Sequence, residues 1–204
     1  QEQKTYYLPR LATGEEVPCF ALTEPLAGSD AGAMSSHGEV IRGDDGELKI
    51  RLNWKKRYIT LAAIATVFGI AFKLRDPQNL LGKGEELGIT CAVVPKGLAG
   101  IVVGDRHDPL GVPFYNCPTE GHDVEIPISA VIGGKEQVGN GWKMLMECLS
   151  AGRGVSLPAT ANASSKVASV GIFNYMKARV QFRMPLSKME AIQEKFNRMI
   201  YHTW

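Results

Sequence analysis

The residues best suited to hold a ligand lie in one loop near the start of the chain, Leu22-Thr23-Glu24-Pro25-Leu26-Ala27-Gly28-Ser29-Asp30. An apolar run leads into this proline-stiffened loop, where the main-chain N–H groups of Gly28 and Ser29 are suited to hold an anionic group. The Thr23 hydroxyl offers a hydrogen bond to a ligand edge. Gly-Ser-Asp is also a common turn, so an ordinary loop is the competing interpretation. Neither G-x-G-x-x-G nor a Walker loop occurs.

Histidine and cysteine are spaced in a way that disfavours a metal site. None of the four histidines stands in an H-x-x-x-H or H-E-x-x-H arrangement, and the four cysteines form no C-x-x-C pair. We therefore predict no bound metal and no disulfide framework. The cysteines, Cys19, Cys91, Cys117 and Cys148, are expected to be buried, inert thiols in a reducing compartment.

Charge is unevenly distributed along the chain. The formal net charge is +2, which is too small to indicate a nucleic-acid partner. Residues 1–150 carry 15 Lys and Arg against 19 Asp and Glu, whereas residues 151–204 carry 8 against 2. The basic segment is either a helical tail that meets phosphates or one face of a helical bundle whose acidic complement lies elsewhere.

Turn signals divide the region from residue 17 to about residue 135 into eight short β-rich runs. These are 17–23, 39–41, 48–52, 55–60, 66–74, 89–94, 101–103 and 124–126. No amphipathic helix interrupts them, so the pattern predicts an antiparallel sandwich or barrel rather than a doubly wound sheet.

Helical periodicity begins at Gly141, because Trp142, Leu145, Met146 and Leu149 recur at i, i+3, i+4 and i+7. A second amphipathic segment follows Pro158, which could kink the helix, and a third is predicted to start at a capping box formed by Ser187 and Glu190. The predicted class is α+β. Residues 1–16 end a helical domain at Gly14, 17–138 form the middle β-domain, and 139–204 begin a helical bundle.

The longest apolar run, residues 59–72, has 14 residues, fewer than the roughly 18 to 20 that span a bilayer, and is predicted to be core. The chain opens with Gln-Glu-Gln-Lys and stops at His-Thr-Trp, with no initiator methionine and no signal region. We therefore expect it to be a piece of a longer protein.

Four motifs, in order, resemble those of the acyl-CoA dehydrogenase flavoproteins. The first is Thr23-Glu24-Pro25-Leu26-Ala27-Gly28-Ser29-Asp30, and the second is the aromatic-Ile-Thr triplet Tyr58-Ile59-Thr60, with Tyr where most relatives have Trp. The third is Gly139-Asn140-Gly141-Trp142, followed by Arg153, and the fourth is Arg179-Val180-Gln181-Phe182. The amino-acid sequence of residues 22–33 and 52–73 is most similar to that of the large bacterial acyl-CoA dehydrogenases of fatty-acid β-oxidation.

The resemblance implies an FAD site. Phe20, Leu22 and Thr23 would meet the polar edge of the flavin, and Gly28 and Ser29 its pyrophosphate, with Ser29 also near the substrate thioester. Tyr58, Ile59 and Thr60 would pack on the other side of the flavin. Arg179 and Gln181 would reach the FAD of a neighbouring subunit, and Arg153 would line the acyl-CoA channel.

The activity that the resemblance implies is FAD-dependent α,β-dehydrogenation of fatty acyl-CoA to trans-2-enoyl-CoA. Electrons would pass to electron-transfer flavoprotein, and the full-length enzyme would be a homo-oligomer. We expect it in the bacterial cytoplasm, with inner-membrane association through parts outside this chain left open. An acyl-CoA oxidase that uses O2 and a noncatalytic β-domain that serves as a binding module are the alternatives.

Two departures from the family pattern concern the contacts of CoA and adenine. Ser150 stands where many relatives have Asp, and Arg183 where they have Gly. In the family, the catalytic Glu directly precedes the channel Arg or lies much further along the chain, and Gly152 occupies the first position here. Glu147 falls about 120° around the helix from Arg153. We therefore predict that these 204 residues contain no catalytic residue and that the chain alone is inactive.

Overall fold

The structure, a computed structural model, describes all residues from Gln1 to Trp204. Two compact units divide the chain, Gln1–Met144 and Leu145–Trp204. No helix in either unit combines the length and the apolar character that crossing a membrane requires.

The first unit opens with helix α1 (Glu2–Thr13), which ends where the sequence predicts, at Gly14. Gly14 has φ 76° and its N–H group bonds to the Leu11 carbonyl, as in a left-handed C-cap. The Gln3 side-chain amide donates to the carbonyls of Ser129 and Val131 at 2.8 and 2.9 Å. The helix is thereby attached to the end of the sheet domain.

Seven strands form the sheet of this unit: β1 (Pro18–Ala21), β2 (His37–Arg42), β3 (Leu48–Thr60), β4 (Val67–Arg75), β5 (Glu86–Pro95), β6 (Ile101–Val103) and β7 (Asn116–Pro127). The strand order is β1-β4-β2-β3-β7-β6, with β5 also paired to β4. Short 3-10 turns follow β1 and β7, at Ala31–Ala33, Ile128–Ala130 and Lys135–Gln137.

The α+β class is confirmed, but the sheet is mixed rather than wholly antiparallel. Both β1 and β2 run parallel to β4 and share one of its edges, whereas β5 runs antiparallel along the other. The β2–β3 hairpin separates β1 from β4 in the sequence, and β4 runs parallel to β1. Alternation of apolar residues predicts which face of a strand is buried, and it carries no information about strand direction.

Strand β3 joins two of the predicted runs, 48–52 and 55–60. Its inward positions are Ile50, Leu52, Trp54 and Lys56, and the three apolar side chains enter the core. The core continues with apolar residues of the other strands, such as Phe68, Phe72, Val94 and Ile126. Burial of this stripe is the main stabilising contribution to the unit.

The second unit is helical. Helix α2 (Gly141–Ala151) leads into it, a π-helical turn (Gly152–Ser156) follows, and α3 (Leu157–Ala178) continues from there. A two-stranded hairpin, β8 (Val180–Gln181) and β9 (Met184–Pro185), and a 3-10 turn (Leu186–Lys188) separate α3 from α4 (Glu190–Thr203). Phe173 and Phe196 stack at 5.9 Å between ring centroids and join the two helices.

Two local expectations are wrong. Ser187 lies inside the 3-10 turn, so α4 begins after Met189 and no side chain caps it. The predicted capping box is absent because Ser187 cannot also adopt the extended N-cap conformation. Cys19, Cys91 and Cys117 are buried as expected, whereas Cys148 is exposed.

Candidate functional site

The loop between β1 and β2 has a fixed shape at its start. Glu24 and Ala27 exchange two main-chain hydrogen bonds, of 3.0 and 3.3 Å, across the Pro25-Leu26 turn. Gly28 and Ser29 follow this turn and are both exposed. The loop therefore exposes main-chain and hydroxyl groups at Gly28 and Ser29, and the Glu24–Ala27 hydrogen bonds stabilise the turn that precedes them.

A buried ion pair fixes this loop to β3. The ammonium group of Lys56 lies 2.8 Å from Glu24 Oε1 and donates to the Leu22 carbonyl at 3.0 Å. The side chain of Lys56 is 0% exposed and that of Glu24 is 2% exposed. Next to the pair, the Arg57 N–H group donates to the Thr23 carbonyl at 3.0 Å.

The carboxylate of Glu24 is fully engaged. Oε2 accepts hydrogen bonds from the Ser35 N–H group and hydroxyl at 2.6 and 2.7 Å, and Oε1 accepts one from the Ser36 N–H group at 3.0 Å. Burial by itself raises the pKa of Glu24, but the hydrogen bonds from Lys56, Ser36 and Ser35 outweigh it and lower the pKa to about 2. Burial lowers the pKa of Lys56, and the Glu24 charge opposes that shift.

The second candidate segment lies at the end of β3, where the strand is irregular. Its pairing with β7 slips by one residue between Lys56 and Ile59, as in a β-bulge. Tyr58 and Leu61 have φ of 58° and 66°, left-handed values that are costly for side chains of this size. The Tyr58-Ile59-Thr60 triplet thus begins with one strained residue and is followed directly by another, and such strain clusters at functional sites.

Tyr58 lies between two basic side chains. The Arg57 guanidinium is 4.1 Å from the ring centroid, and its Nη2 atom hydrogen-bonds to the Tyr58 hydroxyl. The His107 ring is 4.8 Å from the Tyr58 ring, and His107 Nε2 lies 3.3 Å from the Tyr58 nitrogen. These contacts hold a half-exposed aromatic ring at the surface.

Three hydroxyl groups on the two segments remain available to a ligand. The side chains of Thr23, Ser29 and Thr60 make no hydrogen bond within the chain, and Ser29 and Thr60 are exposed. Gly28 has no heavy atom within 4 Å of the position that a Cβ would take, and its φ is not in the left-handed range. The fold itself therefore does not require glycine there, whereas close approach of a ligand to the main chain would.

Phe20, Leu22 and Ile59, the other predicted residues of the first unit, have different environments. Phe20 is 40% exposed and borders an apolar groove of about 570 Å³ between α1 and the sheet. Leu22 is half-buried, and its carbonyl is taken by Lys56. Ile59 is 2% exposed and belongs to the core, so its side chain is not available to a ligand.

Arg153, Arg179 and Gln181, the predicted residues of the second unit, are all exposed. Arg153 lies in the π-helical turn, a distortion that is frequent at functional sites. Arg179 is the C-cap of α3, and Gln181 is on β8, two residues further along. The structure thus places Arg179 and Gln181 close to each other at the end of one helix.

The third motif has a packing explanation. A Cβ at Gly139, whose φ is 84°, would lie 2.4 Å from the Leu87 carbonyl oxygen. A Cβ at Gly141 would lie 2.7 Å from the Ile89 carbonyl oxygen. Both glycines therefore allow the chain to pass against β5 where α2 begins.

Sequence reasoning missed the Glu24–Lys56 ion pair. The signal was present, because Lys56 occupies the inward phase of the alternation that begins with Ile50, Leu52 and Trp54. A buried lysine requires a partner of opposite charge. Glu24, in the candidate loop, is that partner.

Comparison with known proteins agrees with the fold. Residues 19–124 match the family model described as acyl-CoA dehydrogenase, middle domain. This region contains both the Thr23–Asp30 loop and the Tyr58–Thr60 triplet. The chain belongs to the acyl-CoA dehydrogenase family, and the resemblance drawn from the four motifs is confirmed.

Individual relatives extend the similarity over the whole chain. An acyl-CoA dehydrogenase of Bacillus subtilis is 34% identical over 200 residues, which are 98% of this chain and 49% of the relative. A protein named HemX, from Proteus mirabilis, is 51% identical over 100 residues, or 49% of this chain and 59% of the relative. The solved structure of an acyl-CoA dehydrogenase complexed with FAD from Bacillus anthracis is 30% identical, with a TM-score of 0.78, over 100% of this chain and 33% of that one. The chain spans about half the length of the curated relatives it matches.

Proposed function

We propose that this chain carries the flavin-edge segments of an FAD-dependent acyl-CoA dehydrogenase that converts fatty acyl-CoA to trans-2-enoyl-CoA. The observation that carries the proposal is the set of three unused hydroxyl groups, on Thr23, Ser29 and Thr60, next to the open main chain at Gly28. Membership of the family supplies the class of cofactor to which these groups would bind.

The residues present fit FAD. The Thr23 hydroxyl would hydrogen-bond to the polar edge of the flavin, and on the other side Tyr58 would pack against it with the Thr60 hydroxyl near N5. The exposed N–H groups of Gly28 and Ser29, together with the Ser29 hydroxyl, would hold the pyrophosphate. Bound FAD would supply the hydride acceptor for the substrate β-hydrogen.

The basic residues of the second unit would serve the anionic parts of the ligands. The Arg153 guanidinium would bind along the acyl-CoA channel, and Arg179 with Gln181 would reach the FAD of a neighbouring subunit, because a guanidinium fork suits phosphate oxygens. This assignment makes the full-length enzyme a homo-oligomer. Electron-transfer flavoprotein would reoxidise it in the bacterial cytoplasm.

Removing a single hydroxyl tests the assignment. In the full-length protein, Thr23→Ala and Ser29→Ala should each weaken FAD binding by about 1 kcal/mol, roughly fivefold in Kd, because each removes one hydrogen bond. Fluorescence titration of the apoprotein with FAD measures the effect. Ser164→Ala is the matched control, since the Ser164 hydroxyl bonds to the Thr160 carbonyl within α3.

Wild-type affinity in both alanine variants would contradict the assignment of the loop. A full-length protein that purifies colourless and takes up no FAD would contradict the flavoprotein proposal as a whole and favour a binding module. Reduction of dioxygen at the rate of acyl-CoA oxidation would identify an oxidase instead.

A further inference from the structure

The Glu24–Lys56 ion pair lies between the two segments that would meet the flavin. Glu24 follows Thr23 directly, and Lys56 precedes Tyr58 by two residues. Neither charged group is accessible, so neither can contact a ligand. Any effect of the pair on a bound cofactor must therefore act through the segments that it holds.

Every hydrogen bond of the pair ends on one of these segments or on the far end of the loop. Lys56 Nζ donates to the Leu22 carbonyl, and Glu24 accepts from Ser35 and Ser36. One ammonium group and one carboxylate thus tie the beginning of the loop, its end and β3 together. We call residues Glu24 and Lys56, with these bonds, the clamp.

Stability alone does not explain the clamp. Burial of two charges costs several kcal/mol in desolvation, and neutral side chains of similar volume often serve a core as well or better. What apolar side chains cannot reproduce is the set of directed bonds from Lys56 to Leu22 and from Glu24 to the Ser35 and Ser36 N–H groups.

We propose that Glu24 and Lys56 are positioning residues of the flavin site. The clamp sets the spacing between Thr23 on the loop and Tyr58-Ile59-Thr60 on β3, and the two segments therefore move as one unit. The inference rests on the proposed function, because it assumes that both segments meet the same flavin.

The decisive variant is Glu24→Met/Lys56→Met in the full-length protein, which removes both charges together with every hydrogen-bonding group of the two side chains. No lone buried charge remains, so the melting temperature should return close to the wild-type value, whereas either single substitution lowers it. The clamp bonds stay lost, and amide exchange at Ser35 and Ser36 should accelerate by about tenfold or more. The Kd for FAD should rise about tenfold or more, as expected from misplaced binding groups, and the visible circular dichroism of the bound flavin should change.

Lys55→Met is the matched control, because Lys55 is the adjacent lysine, is 69% exposed and pairs with Glu120 at the surface. It should leave amide exchange, FAD affinity and the flavin spectrum unchanged. Glu24→Asp provides a second variant should the paired one fail to fold. It keeps the charge, withdraws the carboxylate by one methylene, and should raise the Kd to an intermediate value.

The outcomes separate this inference from the function on which it rests. A folded paired variant with wild-type amide exchange, or with wild-type FAD affinity and spectrum, overturns the positioning role while the flavoprotein proposal stands. A wild-type Kd in Glu24→Asp does the same when the paired variant does not fold. A wild-type protein that binds no FAD overturns the proposed function, and the positioning role falls with it.

Discussion

Polar side chains around the candidate site differ in whether the chain already uses their hydrogen-bonding capacity. The Glu24 carboxylate and Lys56 ammonium are engaged by internal partners, whereas the Thr23, Ser29 and Thr60 hydroxyls have none. Groups with internal partners fix the main chain, and hydroxyls without them are free to bind. At the residue scale, holding the site and contacting a ligand are thus separate tasks.

The ionised state of Glu24 should show in the pH dependence of stability. The pKa of Glu24 is about 2 in the folded chain, against about 4.3 for an unperturbed Glu. The contribution of this group is therefore complete above the unfolded pKa and is lost as the pH falls from about 4.5 toward 2. Glu24→Gln should be less stable at pH 7 by about 3 to 5 kcal/mol, because it leaves Lys56 without its partner.

Urea unfolding of both proteins between pH 2 and pH 7 measures this difference, which should shrink as the pH falls toward 2. Glu125→Gln is the control, because Glu125 pairs with Arg51 at the surface and both side chains are 44% exposed. Such pairs contribute about 0 to 1 kcal/mol. A gap between wild type and Glu24→Gln that stayed constant across this range would disprove the ionised assignment.

The residues that the sequence predicted for the site differ in whether their side chains are available to a ligand. Thr23, Ser29 and Thr60 were taken from family motifs, and the structure leaves Ser29 and Thr60 exposed and Thr23 half-buried. Ile59 was also taken from a motif, but the bulge at Tyr58 turns its side chain into the core. A bulge shifts the alternation by one residue, and no local pattern in the sequence announced it.

At the scale of elements, the start of α2 is determined by how closely the chain can pass β5. A methyl group at Gly141 would meet the Ile89 carbonyl, a main-chain atom that cannot move aside cheaply. Gly141→Ala should therefore reduce the free energy of unfolding by about 1 to 3 kcal/mol, as in other overpacked sites.

Gly171 supplies the opposite case, because it lies inside α3 with no heavy atom within 4 Å of a Cβ. Gly171→Ala should stabilise the protein by about 0.5 to 1 kcal/mol through the lower entropy of the unfolded chain. Guanidinium unfolding of the two variants compares them directly. Equal effects of the two substitutions would contradict the close approach at Gly141.

The β8–β9 hairpin contains strain that glycine would relieve. Its two turn residues, Phe182 and Arg183, have φ of 50° and 64°, the sign pattern of a type I′ turn, which favours Asn-Gly. Arg183→Gly should raise the free energy of unfolding by about 1 kcal/mol, because a non-glycine residue in this conformation costs about 1 to 2 kcal/mol. Arg183→Ala removes the same side chain and keeps the strain. It should leave the melting temperature nearly unchanged, and a gain equal to that of Arg183→Gly would show that the side chain, not the backbone, is responsible.

At the scale of the whole molecule, composition and periodicity predicted a β-rich part followed by helices, and both are present. The predicted antiparallel sheet was wrong in the direction of β1 and β2 relative to β4, which depends on pairing between residues 49 apart (Pro18 with Val67) and 36 apart (His37 with Lys73). Local pattern predicts elements well when burial alternates, as in β3. It predicts neither long-range strand direction nor buried charge, since both depend on contacts between distant segments.

The general base of the proposed dehydrogenation is expected to lie outside these 204 residues. Proton abstraction needs a carboxylate whose pKa lies near the working pH and that can reach the substrate. Glu24 and Asp76 are the buried carboxylates, but the pKa of Glu24 is about 2 and the Asp76 oxygens accept the Leu80 and Leu81 N–H groups. Glu147 lies on α2, and the position before Arg153 is Gly152.

We therefore expect the 204 residues, mixed with FAD, a fatty acyl-CoA and an artificial electron acceptor, to show no dehydrogenation above background. In the full-length enzyme, Glu147→Gln should leave kcat within about twofold of wild type, because loss of a true general base costs about 100-fold or more. Substitution of a Glu outside these residues should then abolish turnover while acyl-CoA binding persists. Dehydrogenation by the 204-residue chain that Glu147→Gln abolished would instead place the base on α2, three residues after Met144 at the boundary of the two units.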